Sequence, residues 1–243
     1  MLKRAGKLLL WLVLILALFA GLTLHSGWNR YQRAVRELPL SIAVEQVRES
    51  TRYVPFELID PDYVNAVVAV EDQRYFTRRG FDFIALIRSI LSNFRQRRAV
   101  EGGSTIPQQT AKNLYFIGEG KVRGTDEKVA EIFLMYDMEE QYTKEEILAL
   151  YAALNYYGDG YWGLENASQG YYGLSCSDLS PAKAAMLAGI PNAPSVYQLS
   201  TGYDLARSRQ KRVLSDMKRD GYLSEAQVQE ALLEDVHALS KGE

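Results

Sequence analysis

Three short stretches of this chain concentrate side chains able to hold, move or neutralise charge. Glu71 and Asp72 follow the apolar run AVVAV. A carboxylate beside apolar surface has its charged form disfavoured, which raises its pKa toward values useful to a general base. A solvated acidic pair at a helix end is the plainer alternative. Residues 100–115, VEGGSTIPQQTAKNLY, gather glycines, hydroxyls, glutamines and a lysine around one predicted helix start. Gly102 and Gly103 let the backbone approach a ligand closely. Ser104 or Thr105 caps a helix whose first turn tolerates Pro107. Gln108 and Lys112 then share one face at i,i+4 spacing, with Gln109 and Asn113 on the adjacent one. Such a donor-rich N-terminus suits a phosphate, although an ordinary capped surface helix uses the same residue types. In the third stretch, KVAEIFLMY, Glu131 lies three residues after Lys128. It is either half of a surface ion pair worth a few tenths of a kcal/mol, or a second carboxylate facing the first across a cleft, as glycosyl transfer requires. Lys112, Arg123 and Lys128 would then supply cations for a phosphate-bearing leaving group.

The rest of the composition removes competitors. The only histidines are His25 and His237, and Cys176 is the single cysteine of 243 residues. A His-centred nucleophile triad, a multi-His metal site, a structural zinc site and a disulfide scaffold are excluded. A net charge of −2 leaves no general basic field for nucleic acid.

These groups need elements to position them. Leu8 to Leu24 is an uncharged, almost wholly apolar run behind Lys3, Arg4 and Lys7, and about 17 residues is the lower limit for a spanning helix. No A-x-A cleavage site follows it, which favours an uncleaved anchor over a signal peptide. Lys3, Arg4 and Lys7 nearly balance Arg30, Arg33 and Arg36, so the short tail and long C-terminal part, rather than the charge count, favour an N-in arrangement with the domain outside the cytoplasm. Residues 1–25 read as tail and transmembrane anchor, 26–60 as a membrane-proximal linker without a strong period, and 61–243 as one domain. Asp62, Asp82, Thr125, Thr143, Ser180 and Ser224 mark helix starts, with capping boxes at Thr143/Glu146 and Ser224/Gln227 and an N-cap/C′ pair at Ser180/Gly189. Strand patterns are scarce, and the fold class is all-α. The helix Asp82–Arg98 sets Phe83, Ile87, Ile90 and Phe94 against Arg88, Arg95, Arg97 and Arg98, which fits either a bilayer interface or an ordinary core-facing helix. Tyr156, Tyr157, Tyr161 and Trp162 suit core packing or loop bracing better than sugar stacking.

Taken together these segments resemble the peptidoglycan glycosyltransferase family, the enzymes that polymerise lipid II into glycan strands. EDQRYFTRRGFD at 71–82, GGSTIPQQTAKN at 102–113, EKVAE at 127–131, ILALYAALNYYGDGYWG at 147–163 and LSPAKAAMLAGIPNAPSVY at 179–197 are similar to its five motifs, in order. The departures are Arg78-Arg79 for a histidine pair, Pro107 for a threonine, Glu127 and Ala130 for an arginine and a lysine, and Ala149 and Ala153 for a glutamate and an asparagine.

The resemblance implies a lysozyme-like, mostly helical domain, with a smaller membrane-facing lobe over roughly residues 80–125, behind one transmembrane helix. It makes Glu71 the base and Glu131 the second important glutamate, with Ser104, Gln108, Gln109, Lys112, Arg123 and Lys128 binding substrate. Its partners are lipid II, the growing glycan strand and the bilayer, with a cell-wall synthesis complex as a further candidate and no nucleic acid. The implied location is the inner (plasma) membrane, single-pass. No cofactor is required, with room for a divalent cation (Mg or Mn) at the pyrophosphate and no metal site in the protein itself. The chain ends near residue 243, so a monofunctional polymerase is expected. Two other classes stay open: a lytic glycan hydrolase, and a catalytically impaired binding homologue, which the changes at Glu127, Ala130 and Ala153 favour.

Overall fold

The computed structural model describes residues 2–78, 104–116 and 124–239. Among them every regular element is helical, apart from one antiparallel bridge between Tyr156 and Trp162, in line with the all-α expectation. Most of the expected membrane-facing lobe, with the helix Asp82–Arg98, Arg79, Gly102, Gly103 and Arg123, lies outside the described residues.

Helix α1 (Leu2–Glu37) carries the apolar run. Its mean hydropathy reaches 2.2, and its large apolar side chains from Leu9 to Leu24 are exposed. Length and exposed apolar surface together fit membrane anchoring. Residues 26–60, expected as a linker, hold the last three turns of α1, α2 (Leu40–Arg48) and a 3-10 turn at Phe56–Leu58. Tyr31, Leu40 and Val44 are buried in this stretch and Val35 and Val47 pack beside them. Roughly one apolar contact per turn, interleaved with Arg30, Arg33 and Arg36, is too sparse to stand out as a period.

Among the described residues the remaining helices are α3 (Pro61–Glu71), α4 (Ile106–Tyr115), α5 (Thr125–Gln141), α6 (Lys144–Leu154), α7 (Leu164–Tyr172), α8 (Pro181–Gly189), the single turn α9 (Pro194–Tyr197), α10 (Tyr203–Arg219) and α11 (Glu225–Leu233). The capping boxes at Thr143/Glu146 and Ser224/Gln227 form as the spacing predicts, and Ser180 caps α8. Two ends differ. The N-cap of α3 is Asp60, whose carboxylate accepts from the Asp62 N–H at 2.8 Å, because Pro61 takes the first helical position. Gly189 keeps a right-handed conformation (φ −78°) and the chain runs on into a 3-10 turn at Ile190–Asn192. Its missing side chain serves packing instead: a Cβ there would lie 2.9 Å from Arg209 Cγ.

Two hydrophobic clusters share helix α6. Tyr63 and Val67 of α3, Leu187 of α8 and Leu214 and Met217 of α10 close around Leu148 and Tyr151. Tyr31, Val44, Ala130, Leu134 and Met138 close around Ile147 and Leu150. A helix apolar all round is a central helix, and α6 is buried on both sides. Ala149 and Ala153 sit in that packing at no more than 2% exposure.

Candidate active site

Glu71 ends α3, where six of the preceding residues are buried. Its side chain is 11% exposed. Gln109 Nε2 donates to Glu71 Oε2 at 2.6 Å, and Arg209 Nη2 stands 3.6 Å from Oε1. Burial raises the pKa of the Glu71 carboxyl; the Gln109 hydrogen bond and the charges of Arg209 and Lys112 oppose this, and Asp72 adds to it. The direction is that expected of a general base.

Arg209 is a neighbour of Glu71 that the sequence does not single out. It lies on α10 in the stripe formed by Ala206, Gln210, Val213, Leu214 and Met217, all buried. An arginine inside an apolar stripe is the signal that was available. Gly189 leaves space for its stem to cross α8.

The neighbouring Asp72 does different work. It is buried and pairs with Arg78 through both oxygens, and Arg78 also reaches Glu139 at 3.4 Å. Glu139 in turn pairs with Lys144. Asp72 Oδ2 further accepts the Ile106 N–H at 3.3 Å. The start of α4 therefore already faces a carboxylate. Pro107 has no N–H, and the Gln108 N–H goes to the Thr105 side chain. The expected phosphate cradle at this helix start is thus occupied by the protein's own groups, and its cap is Thr105 rather than Ser104. Gln108 is buried in the capping box, its Oε1 accepting from the Thr105 N–H, and Nε2 has no partner among the described residues.

Ser104 stands just before this cap and meets α5. Lys128 Nζ donates to Ser104 Oγ at 2.9 Å and to Glu131 Oε2 at 2.7 Å. Glu131 is 1% exposed, whereas Lys128 is 47% exposed. The buried carboxylate therefore holds a cation that still reaches solvent. Glu127, on the same helix, is 7% exposed and pairs with Arg30 of α1 at 3.0 Å. Ala130 is fully buried against the second cluster.

The structure thus brings Glu71, Gln109 and Lys112 together with Arg209, and Ser104 together with Lys128 and Glu131. Helix α4 joins the two groups, its N-terminus held between Asp72 and Met135 of α5. Farther along α4, Asn113 donates to Asn155 at 2.8 Å. The expected aromatic cluster braces loops: Tyr157 shares a buried hydroxyl contact with Tyr63, Tyr161 packs edge-on against Tyr171, and Tyr156 lies against Trp162. Among the described residues no three or more His, Cys, Asp or Glu side chains converge in a way that could hold a metal ion.

Residues 37–218 match the family model described as Transglycosylase. The chain is 36% identical over 201 residues to a putative transglycosylase of Cupriavidus necator, covering 83% of this chain and 85% of that one. It is 39% identical over 180 residues to a monofunctional glycosyltransferase of Staphylococcus haemolyticus, covering 71% and 65% of the two. It is 37% identical over 174 residues to penicillin-binding protein 1A of Streptococcus oralis, covering 72% of this chain but 27% of that protein. The chain therefore spans about a quarter of the length of the penicillin-binding proteins it matches.

Proposed function

The chain belongs to the transglycosylase family, and on that premise we propose that it polymerises lipid II into peptidoglycan glycan strands. The observation that carries the reading is the nearly buried Glu71 carboxylate, held by Gln109 and Arg209 beside Lys112.

The 4-hydroxyl oxygen of the acceptor lipid II attacks the anomeric carbon of the donor glycan. Glu71 takes the hydroxyl proton as the new β-1,4 bond forms and the polyprenyl pyrophosphate leaves, with inversion. Burial makes Glu71 a stronger base than an exposed carboxylate, while Gln109 and Arg209 fix its orientation. Lys112 and Lys128, with Arg123, balance the charge of the departing pyrophosphate. Glu131 holds Lys128 in place. A divalent cation bound with the pyrophosphate would take most of its ligands from phosphate oxygens and water. In this reading the domain, tethered by the apolar helix, works on the outer side of the cytoplasmic membrane, where the lipid-linked substrate carries its own activated leaving group.

Purified full-length protein incubated with labelled lipid II tests the reading. Glycan polymer supports it. Cleavage of preformed glycan points to a hydrolase, and binding without turnover points to an inactive homologue.

A further inference from the structure

The anchor helix does not end at the membrane. Helix α1 runs unbroken to Glu37 and packs on α5 more extensively than any other two described helices pack on each other. The contact is close: a Cβ on Gly27 would lie 2.4 Å from Val129 Cβ. Trp28 meets Phe133 edge-on at 4.9 Å, and Tyr31 packs on Phe133 and donates to Asp137 at 2.6 Å. From Gly27 beside Val129 through Trp28 beside Phe133 to Tyr31 beside Asp137 the contacts advance along both helices, so the helices run in the same sense and the first turn of α5 is its membrane-near end. Arg30 locks that turn. It reaches Glu127 at 3.0 Å and Asp126 at 3.3 Å, and its guanidinium lies over the Phe116 ring just after α4.

This fixes a height. At about 1.5 Å per residue, Gly27 and Arg30 stand about 4.5 and 9 Å beyond Leu24, the last residue of the apolar run. The headgroup layer extends about 5–8 Å beyond the hydrocarbon. Gly27 and Arg30 meet α5 at Asp126, Glu127 and Val129, the turn that also carries Lys128. We propose that α1 is a rigid ruler, clamped to α5 by Gly27 and Arg30, that holds the Lys128–Ser104–Glu131 group at the depth of the lipid phosphates. Gly27 and Arg30 are positioning residues in this account, and the proposal rests on the reading of the site as one for a lipid-linked pyrophosphate. A lysine held at this level meets the pyrophosphate without drawing the lipid out of the bilayer. A flexible tether would let the site wander by many ångströms.

The test is an insertion after His25 of seven helix-forming residues containing Glu and Lys. Seven residues restore the helical face and lift the domain by about 10 Å. The full-length protein is reconstituted in vesicles. Polymerisation of vesicle-embedded lipid II should fall about 10²-fold, while turnover of a short-chain, water-soluble lipid II analogue stays unchanged. Adding Gly27→Leu and Arg30→Ala to the insertion variant should recover part of the vesicle activity, because the height is no longer imposed. A dye on Thr125→Cys with an acceptor on lipid headgroups reads height independently of activity: energy transfer should drop on insertion. Unchanged energy transfer, or unchanged vesicle activity in the insertion variant, overturns the ruler. A parent protein that turns over neither substrate removes the functional reading instead, and the energy-transfer result still decides the ruler.

Discussion

Glu71 and Glu131 are both carboxylates largely withdrawn from water, and the protein surrounds them in opposite ways. Glu131 has a lysine one turn earlier on its own helix, at 2.7 Å. Glu71 has a neutral amide at 2.6 Å and a guanidinium from a distant helix at 3.6 Å. Close pairing with a cation makes a carboxylate a fixed counter-charge. Burial with a looser cation leaves it able to take a proton, and the pKa of Glu71 is raised accordingly. On the proposed reading the same residue type serves as base in one place and as holder of a cation in the other.

The largest expected effect separates the two at once. Glu71→Gln keeps size and one acceptor oxygen for Gln109 but cannot accept the proton, so polymerisation of lipid II should fall by about 10²–10⁴-fold or more, with melting temperature and lipid II binding retained. Activity within about tenfold of the parent would remove Glu71 from the chemistry.

Next come the cations. Lys112→Ala, Lys128→Ala and Arg123→Ala should each cost about 1.5–3 kcal/mol of donor binding, seen as a raised KM for lipid II. A phosphoglycolipid inhibitor that mimics the donor should lose affinity in parallel. Undiminished inhibitor binding would place the altered residue outside the donor site.

Glu131→Gln sharpens the contrast further. It loosens Lys128 without removing it, so KM should rise less than in Lys128→Ala while kcat holds. A kcat loss as deep as that of Glu71→Gln would make Glu131 a participant in bond making and dissolve the distinction.

The smallest effect is a shift in pH dependence. With Glu71 as the proposed base, polymerisation needs it ionised, so the rate should rise with pH through its pKa. Gln109→Leu removes the hydrogen bond that lowers this pKa. The acidic limb of the kcat/KM profile should therefore move to higher pH. Arg209→Gln removes an opposing positive charge and should move it the same way. A shift toward lower pH in either variant would contradict the account of how Glu71 is held.

Local chemistry was readable before any coordinates. Thr143 with Glu146, Ser180, and Ser224 with Gln227 cap their helices as their spacing indicates, because a cap involves residues at most three positions apart. The apolar run of α1, the helical class and the candidacy of Glu71, Lys112, Lys128 and Glu131 follow from residue type and period in the same way. Tertiary packing decided the rest. It set Arg209 against Glu71 and Arg30 against Glu127, pairs far apart in sequence. It turned Asp72 inward to Arg78 and the start of α4, so that it acts on Glu71 through its charge alone. It also made the membrane-proximal stretch part of the packed domain. An ion pair between distant residues depends on which faces of two helices meet, and that is settled by packing throughout the molecule rather than by spacing within a segment.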